Sequence, residues 1–139
     1  PSYCTAIKSD TEVNLNGANI NITHTGTGGK GISADNNINM SSGNVQISTS
    51  GGGSIFKNAT NVTDAYSAAC ITSDTNISIA GGTVNCASSG SGGKGISANG
   101  SVTIGTTTTS PAVSLTTTGA QFIVSTTTGT GGGPGGGTV

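Results

Sequence analysis

The chain has 139 residues, 25 of them glycine, with aromatic side chains at 3% and charged ones at 6%. So few large side chains exclude an ordinary globular core, while regularly recurring β-branched residues and low charge set the chain apart from most disordered sequences. A formal net charge of -1, with four lysines and no arginine, excludes the electrostatic footprint of a nucleic-acid binder, and no apolar run approaches the length of a membrane helix.

Read in order, Ile7-Lys8-Ser9-Asp10 returns as Ile32-Ser33-Ala34-Asp35, as Ile71-Thr72-Ser73-Asp74 and as Ile96-Ser97-Ala98-Asn99, at spacings of 25, 39 and 25 residues. The chain is therefore four 25-residue units arranged as two 64-residue doublets, with an insertion between Gly53 and Tyr66. Each unit carries three short stretches with apolar residues at i and i+2, the period of a strand that buries one face. The first strand supplies Ile7, Ile32, Ile71 and Ile96. The second supplies Val13, Ile38, Ile77 and Val102, then Leu15, Met40, Ile79 and Ile104. The third supplies Ile20, Val45, Val84 and Val113, then Ile22, Ile47, Cys86 and Leu115, once an insertion around Thr106 to Ser110 is allowed.

Matching columns through four units predict an all-β fold, a parallel β-helix (solenoid) in which each unit is one coil and like residues stack about 4.8 Å apart. The coils occupy residues 1–128, and a Gly/Pro-rich tail follows over 129–139. Outward positions such as Asn14, Asn39, Asn21 and Gln46 read as amide ladders along the coil axis, with a polar binding face as the competing reading. Ser54-Ile55-Phe56-Lys57 in the insertion has a counterpart after the fourth coil, Gln121-Phe122-Ile123-Val124, so the two doublets end alike. Tyr3 and Tyr66 make them begin alike.

The twice-spelled Gly-Gly-Lys-Gly-Ile-Ser-Ala, from Gly28 and from Gly92, superficially matches a dinucleotide loop. No crossover helix follows, and neither Lys30 nor Lys94 precedes a Ser or Thr as a Walker loop needs. A glycine corner between coils, with exposed lysines, is the better reading. The column Asp10, Asp35 and Asp74, ending in Asn99, stacks carboxylates that repel unless hydrated or bridged by a cation, and oxygen ligands of this kind suit calcium. The alternative is solvated turn aspartates bonded to their own backbone. Catalysis has little material: His24 is the only histidine and no carboxylate pair stands apart from the turn column. The expectation is not an enzyme.

Cys4, Cys70 and Cys86 lack zinc-site spacing, and one pair plus one free or intermolecular thiol is the simplest arithmetic. Low charge with abundant hydroxyls and amides fits an extracellular or cell-surface protein, and the lack of a signal peptide at Pro1 fits a processed chain or a fragment. Sequons at Asn21, Asn39, Asn58, Asn61, Asn76 and Asn99, and the threonine runs, follow from composition.

The Ile-x-Ala-Asp turn, the Gly-x-Gly-Gly-Lys-Gly-Ile-Ser-Ala-Asp corner and the Gly-Gly-Pro-Gly-Gly-Gly tail resemble bacterial secreted carbohydrate-binding domain proteins. The resemblance spans Ile7 to about Gly119. It implies a right-handed parallel β-helix, pectate-lyase-like in shape but non-catalytic, with calcium at Asp10, Asp35 and Asp74 and affinity for cellulose or acidic polysaccharides. Asn99 departs from that metal pattern.

Two functions follow as expectations. Unpaired backbone at both ends, with no charged or helical cap, predicts head-to-tail self-assembly into an extracellular fibre or matrix, with Cys4, Phe122, Val124 and Pro134 as assembly residues. The alternative is a secreted polysaccharide-binding module, assisted by calcium. Its partners are the chain itself or glycans, with no nucleic acid and no membrane insertion.

Overall fold

The computed structural model describes residues 4–124, and every regular element there is a strand. In chain order these are β1 (Thr5–Ser9), β2 (Val13–His24), β3 (Lys30–Ala34), β4 (Ile38–Thr49), β5 (Ser54–Lys57), β6 (Thr63–Tyr66), β7 (Ala69–Ser73), β8 (Ile77–Ile79), β9 (Thr83–Ser88), β10 (Lys94–Ala98), β11 (Val102–Ile104) and β12 (Ala112–Thr117). Tyr3, Pro134 and the rest of the glycine-rich tail lie outside the described residues.

The protein is all-β, and its two larger sheets are parallel. One has the order β1-β3-β7-β10; the other runs β11-β8-β4-β9-β12, with β2 also on β4. The register follows the repeat column by column. Ile32 lies opposite Ile7 and Ile71, and Ile71 opposite Ile96. Ile38 faces Val13 and Ile77, and Ile77 faces Val102. Val45 faces Ile20 and Val84, and Val84 faces Val113. A slip of one residue would turn each aliphatic row to solvent, so the hydrophobic pattern fixes the pairing. The rows meet in one apolar cluster that includes Ile32, Ile38, Val45, Ile71, Ile77, Ile79 and Val84.

In units 1 and 2 the second and third strands run on as one 12-residue strand, β2 and β4, where the sequence predicts two. Their bend sits at Gly17 and Gly43, with φ of 79° and 111°, and Gly82 and Gly105 repeat it at 86° and 84° in units 3 and 4. An L side chain is disfavoured in that region, so glycine marks the corner in all four units. The pairing of β2 with β4 shifts register beside it, between Leu15 and Ala18.

A second glycine column closes the corner before each repeat of the first strand. A Cβ at Gly90 would fall inside the van der Waals shell of the Gly51 carbonyl oxygen. The same holds for Gly51 over Gly26 and for Gly119 over Gly90. Backbone thus lies directly on backbone there, and only glycine lets units approach to strand spacing.

The insertion between units 2 and 3 is an antiparallel hairpin, β5 on β6, with Phe56 and Tyr66 rings 5.9 Å apart. Its turn is held by the Asn58 side-chain oxygen, which accepts from the Thr60 and Val62 backbone N–H groups at 3.0 Å. The shorter insertion in unit 4 is a threonine loop in which the Thr106 hydroxyl accepts from the Thr109 N–H at 2.9 Å.

Candidate functional site

The turn after the first strand carries the predicted carboxylate column. Backbone N–H groups of Asp35, Asp74 and Asn99 donate to the carbonyls of Ser9, Ala34 and Ser73, each at 3.1 Å, so the turns stack unit upon unit. All three aspartates are exposed. The cation beside them is Lys8, whose Nζ donates to Asp35 of the next unit and lies 3.3 Å from Asp10 of its own. The Asp35 hydrogen bond, with a smaller contribution from Asp10, holds the Lys8 ammonium above its ordinary value of 10.5. Among the described residues no three His, Cys, Asp or Glu side chains converge as metal ligands. Lys8 thus supplies a positive charge between Asp10 and Asp35, while in the row of Asp74 the position of that lysine is taken by Thr72.

Next to this column the amides form a ladder. Asn39 Nδ2 donates to Asn14 Oδ1 at 3.0 Å, and Asn76 Nδ2 to Asn37 Oδ1 at 3.2 Å. The Ser101 hydroxyl and N–H then donate to Asn76 Oδ1 at 2.9 Å. These outward amides connect one unit to the next, which is their structural role.

Among the described residues the strands at the two ends of the parallel sheets are paired on one side only: β1 and β2 at one end, β10, β11 and β12 at the other. Among the described residues nothing covers the ladders at the unit 4 end. Ile77 and Ile79 are 1% exposed, whereas Val102 and Ile104, which pair with them, are 43% and 48% exposed, and Leu115 is 46% exposed. Of the predicted assembly residues, Cys4 is an exposed free thiol beside β1, and its carbonyl accepts from the Lys30 N–H at 3.1 Å. Phe122 and Val124 are half-buried. Phe122 lies over the glycines of its own chain, since a Cβ at Gly92 or Gly53 would touch its side chain, and the Gly92 N–H donates to the Ala120 carbonyl at 2.8 Å. Pro134 lies outside the described residues.

A groove of about 230 Å³ lies where the hairpin meets the four-stranded sheet, lined by Lys30, Lys94, Tyr66, Thr72 and Ser97 among others. Lys30 and Lys94 both pair with Ala69, one on each side, which puts their backbones two strand spacings apart, roughly 9.5 Å. The sequence shows the two lysines as a repeated motif but not as neighbours. The repeat spacing is the signal that joins them, and only the hairpin insertion adds Tyr66. A second, shallower trough of about 280 Å³ crosses the third strands, with Asn21, Gln46 and Asn85 along it.

Two cysteines meet inside unit 3. Cys70 is 0% and Cys86 3% exposed. The Cys70 thiol lies 3.6 Å from the Ala87 carbonyl oxygen, next to Cys86 in the chain. The Cys70 side chain beside it, together with burial, pushes the Cys86 thiol up. His24 Nδ1 accepts from the Gly26 N–H at 3.1 Å and its ring fills the space above Gly29.

No helix among the described residues is long and apolar enough to cross a membrane. No protein-family model, curated protein or solved structure matches the chain.

Proposed function

We propose that the chain is a non-catalytic structural subunit, a right-handed parallel β-helix that assembles head to tail into an extracellular fibre or matrix. Parallel pairing of each unit on the next supports the coil reading, and crossovers between parallel strands are right-handed in about 98% of cases. The observation that carries assembly is the uncovered ladder of unit 4. Val102, Ile104 and Leu115 continue buried columns onto edge strands whose outer hydrogen-bonding groups have no strand beside them among the described residues. The β1–β2 edge of a second copy offers the same parallel register and the same aliphatic columns. A contact between different surfaces of identical copies propagates without closing.

The test is negative-stain electron microscopy with sedimentation over a concentration series, for the native chain and for the double variant Ile104→Lys, Leu115→Lys. Filaments that lengthen with concentration in the first and vanish in the second are the expected result. Monodisperse particles at every concentration, or filaments indifferent to the two lysines, would end the proposal.

The groove favours a second reading, a module for acidic polysaccharides such as polyuronates. Lys30 and Lys94 supply two ammonium groups on one face, Thr72 and Ser97 supply hydroxyls, and Tyr66 supplies an aromatic edge. Retention on polygalacturonate that falls with salt and with Lys94→Gln, but survives a chelator, is the expected outcome. Equal retention on neutral cellulose, or none on either, would remove this reading.

A further inference from the structure

We propose that Cys70 and Cys86 form an intrachain disulfide that ties the first strand of unit 3 to its third strand through the core. The repeat itself carries the argument. Cys70 stands between Ala69 and Ile71, which pair with Lys30 and Ile32 on one side and with Lys94 and Ile96 on the other, so its counterparts are Gly31 and Gly95. Cys86 pairs with Ile47 and Leu115. In units 2 and 4 these positions face each other as glycine against a large aliphatic side chain. A Cβ on Gly31 would come within 2.6 Å of Ile47 Cγ2, and one on Gly95 within 3.5 Å of Leu115 Cβ.

Unit 3 exchanges both members at once. The glycine grows to cysteine and the aliphatic residue shrinks to cysteine, which conserves volume at a position where unit 2 has no room for a Cβ. Two independent packing solutions need not both be cysteine. Their coincidence at facing positions, both buried, with the Cys70 thiol 3.6 Å from the carbonyl oxygen of the residue after Cys86, is what a covalent tie requires. Two residues beyond Ile47 and Cys86 on the same strands, the buried Thr49 hydroxyl donates to Ser88 Oγ at 2.8 Å.

The oxidant is a low-molecular-weight disulfide such as glutathione disulfide. One cysteine thiolate attacks it and releases one thiol, leaving a mixed disulfide; the second cysteine thiolate then attacks the protein sulfur and releases the other thiol. Two protein thiols are oxidised, one small disulfide is reduced to two small thiols, and the two protons leave with those thiols. Since both sulfurs are shut from solvent in the folded chain, exchange takes place before unit 3 closes.

Two chains test this: Cys4→Ser, which leaves only the buried pair, and Cys4→Ser combined with Cys70→Gly and Cys86→Ile, which restores the packing of unit 2. Both are reduced, unfolded, and refolded with mixed oxidised and reduced glutathione, then unfolded and alkylated. In Cys4→Ser neither cysteine is expected to alkylate. Cleavage at Asp74, which separates them, should leave one linked peptide pair that dithiothreitol parts. Dithiothreitol should also lower its urea midpoint while leaving the triple variant's unchanged. Alkylation of both cysteines, cross-links between chains only, or an equal loss of midpoint in the triple variant overturns the proposal. The native chain, oxidised and mapped the same way, decides the matter if Cys4→Ser does not refold.

Discussion

Strands β3 and β10 are the same pentapeptide, Lys-Gly-Ile-Ser-Ala, in two surroundings. Between β1 and β7 its isoleucine, Ile32, is 0% exposed and its Ser33 and Ala34 are buried; at the sheet edge Ile96, Ser97 and Ala98 are only half-buried. Local sequence is held constant, so the difference comes from neighbours alone. Burial in this fold is conferred by the unit on either side, and a unit with one neighbour is left half-finished. The same contrast separates Ile77 and Ile79 from Val102 and Ile104.

The largest effect should come from breaking the sealed copy. Ile32→Ala leaves a cavity with partners on every side and should cost about 4 kcal/mol, whereas Ile96→Ala, whose site opens to solvent, should cost about 1.5 kcal/mol. Urea denaturation at low protein concentration measures both. Equal costs would mean that the edge is covered even in the monomer. If copies stack, the Ile96→Ala cost should climb toward the other as concentration rises.

The glycine corner gives a second cut through the comparison. Gly90→Ala drives a methyl into the Gly51 carbonyl, with unit 4 stacked on the far side through Gly119, and should cost about 3 kcal/mol. Gly119→Ala meets the Gly90 carbonyl in the same way, but among the described residues no further unit stacks on the last turn, which should yield at about 1 kcal/mol. Thermal melts of the two variants check the order. A milder Gly90→Ala would show that the corner is looser than its backbone contacts imply.

Much of this was legible in the sequence because a strict repeat turns one-dimensional spacing into neighbourhood. Ile7, Ile32, Ile71 and Ile96 align by eye and pair in the structure, and the Asn14–Asn39 ladder follows from the same spacing. Three features were hidden for physical reasons. The column through Cys70 is hard to see because its other members, Ala6, Gly31 and Gly95, carry a methyl group or no side chain at all. The long strands β2 and β4 hide their corner because a single left-handed glycine bends the chain without ending the ladder. The groove at Lys30 and Lys94 needs the hairpin, whose placement depends on an insertion that follows no repeat. For the aspartate column, spacing showed which residues stack but not that Lys8 would lie across two of them.

Lys8 yields the smallest effect and the finest distinction between the two ends. Across β1 and β3 it ties Asp35 of unit 2 to unit 1, while at the other end its row continues as Thr72 opposite Ser97, without charge. Its pKa is raised above 10.5, first by the Asp35 hydrogen bond and against the opposing desolvation, so the folded state holds this proton more tightly than the unfolded one. The stabilisation is therefore complete below the ordinary lysine value and is lost as pH rises through the folded value. Lys8 is exposed, which makes the tie weak and sensitive to salt. Lys8→Gln should lower the urea midpoint slightly at neutral pH and low salt, less in high salt, and not at all once pH exceeds the folded value. A carbon NMR titration of the Lys8 side chain that gave 10.5 or below would dissolve the ionic tie and leave both ends held by backbone and aliphatic stacking alone.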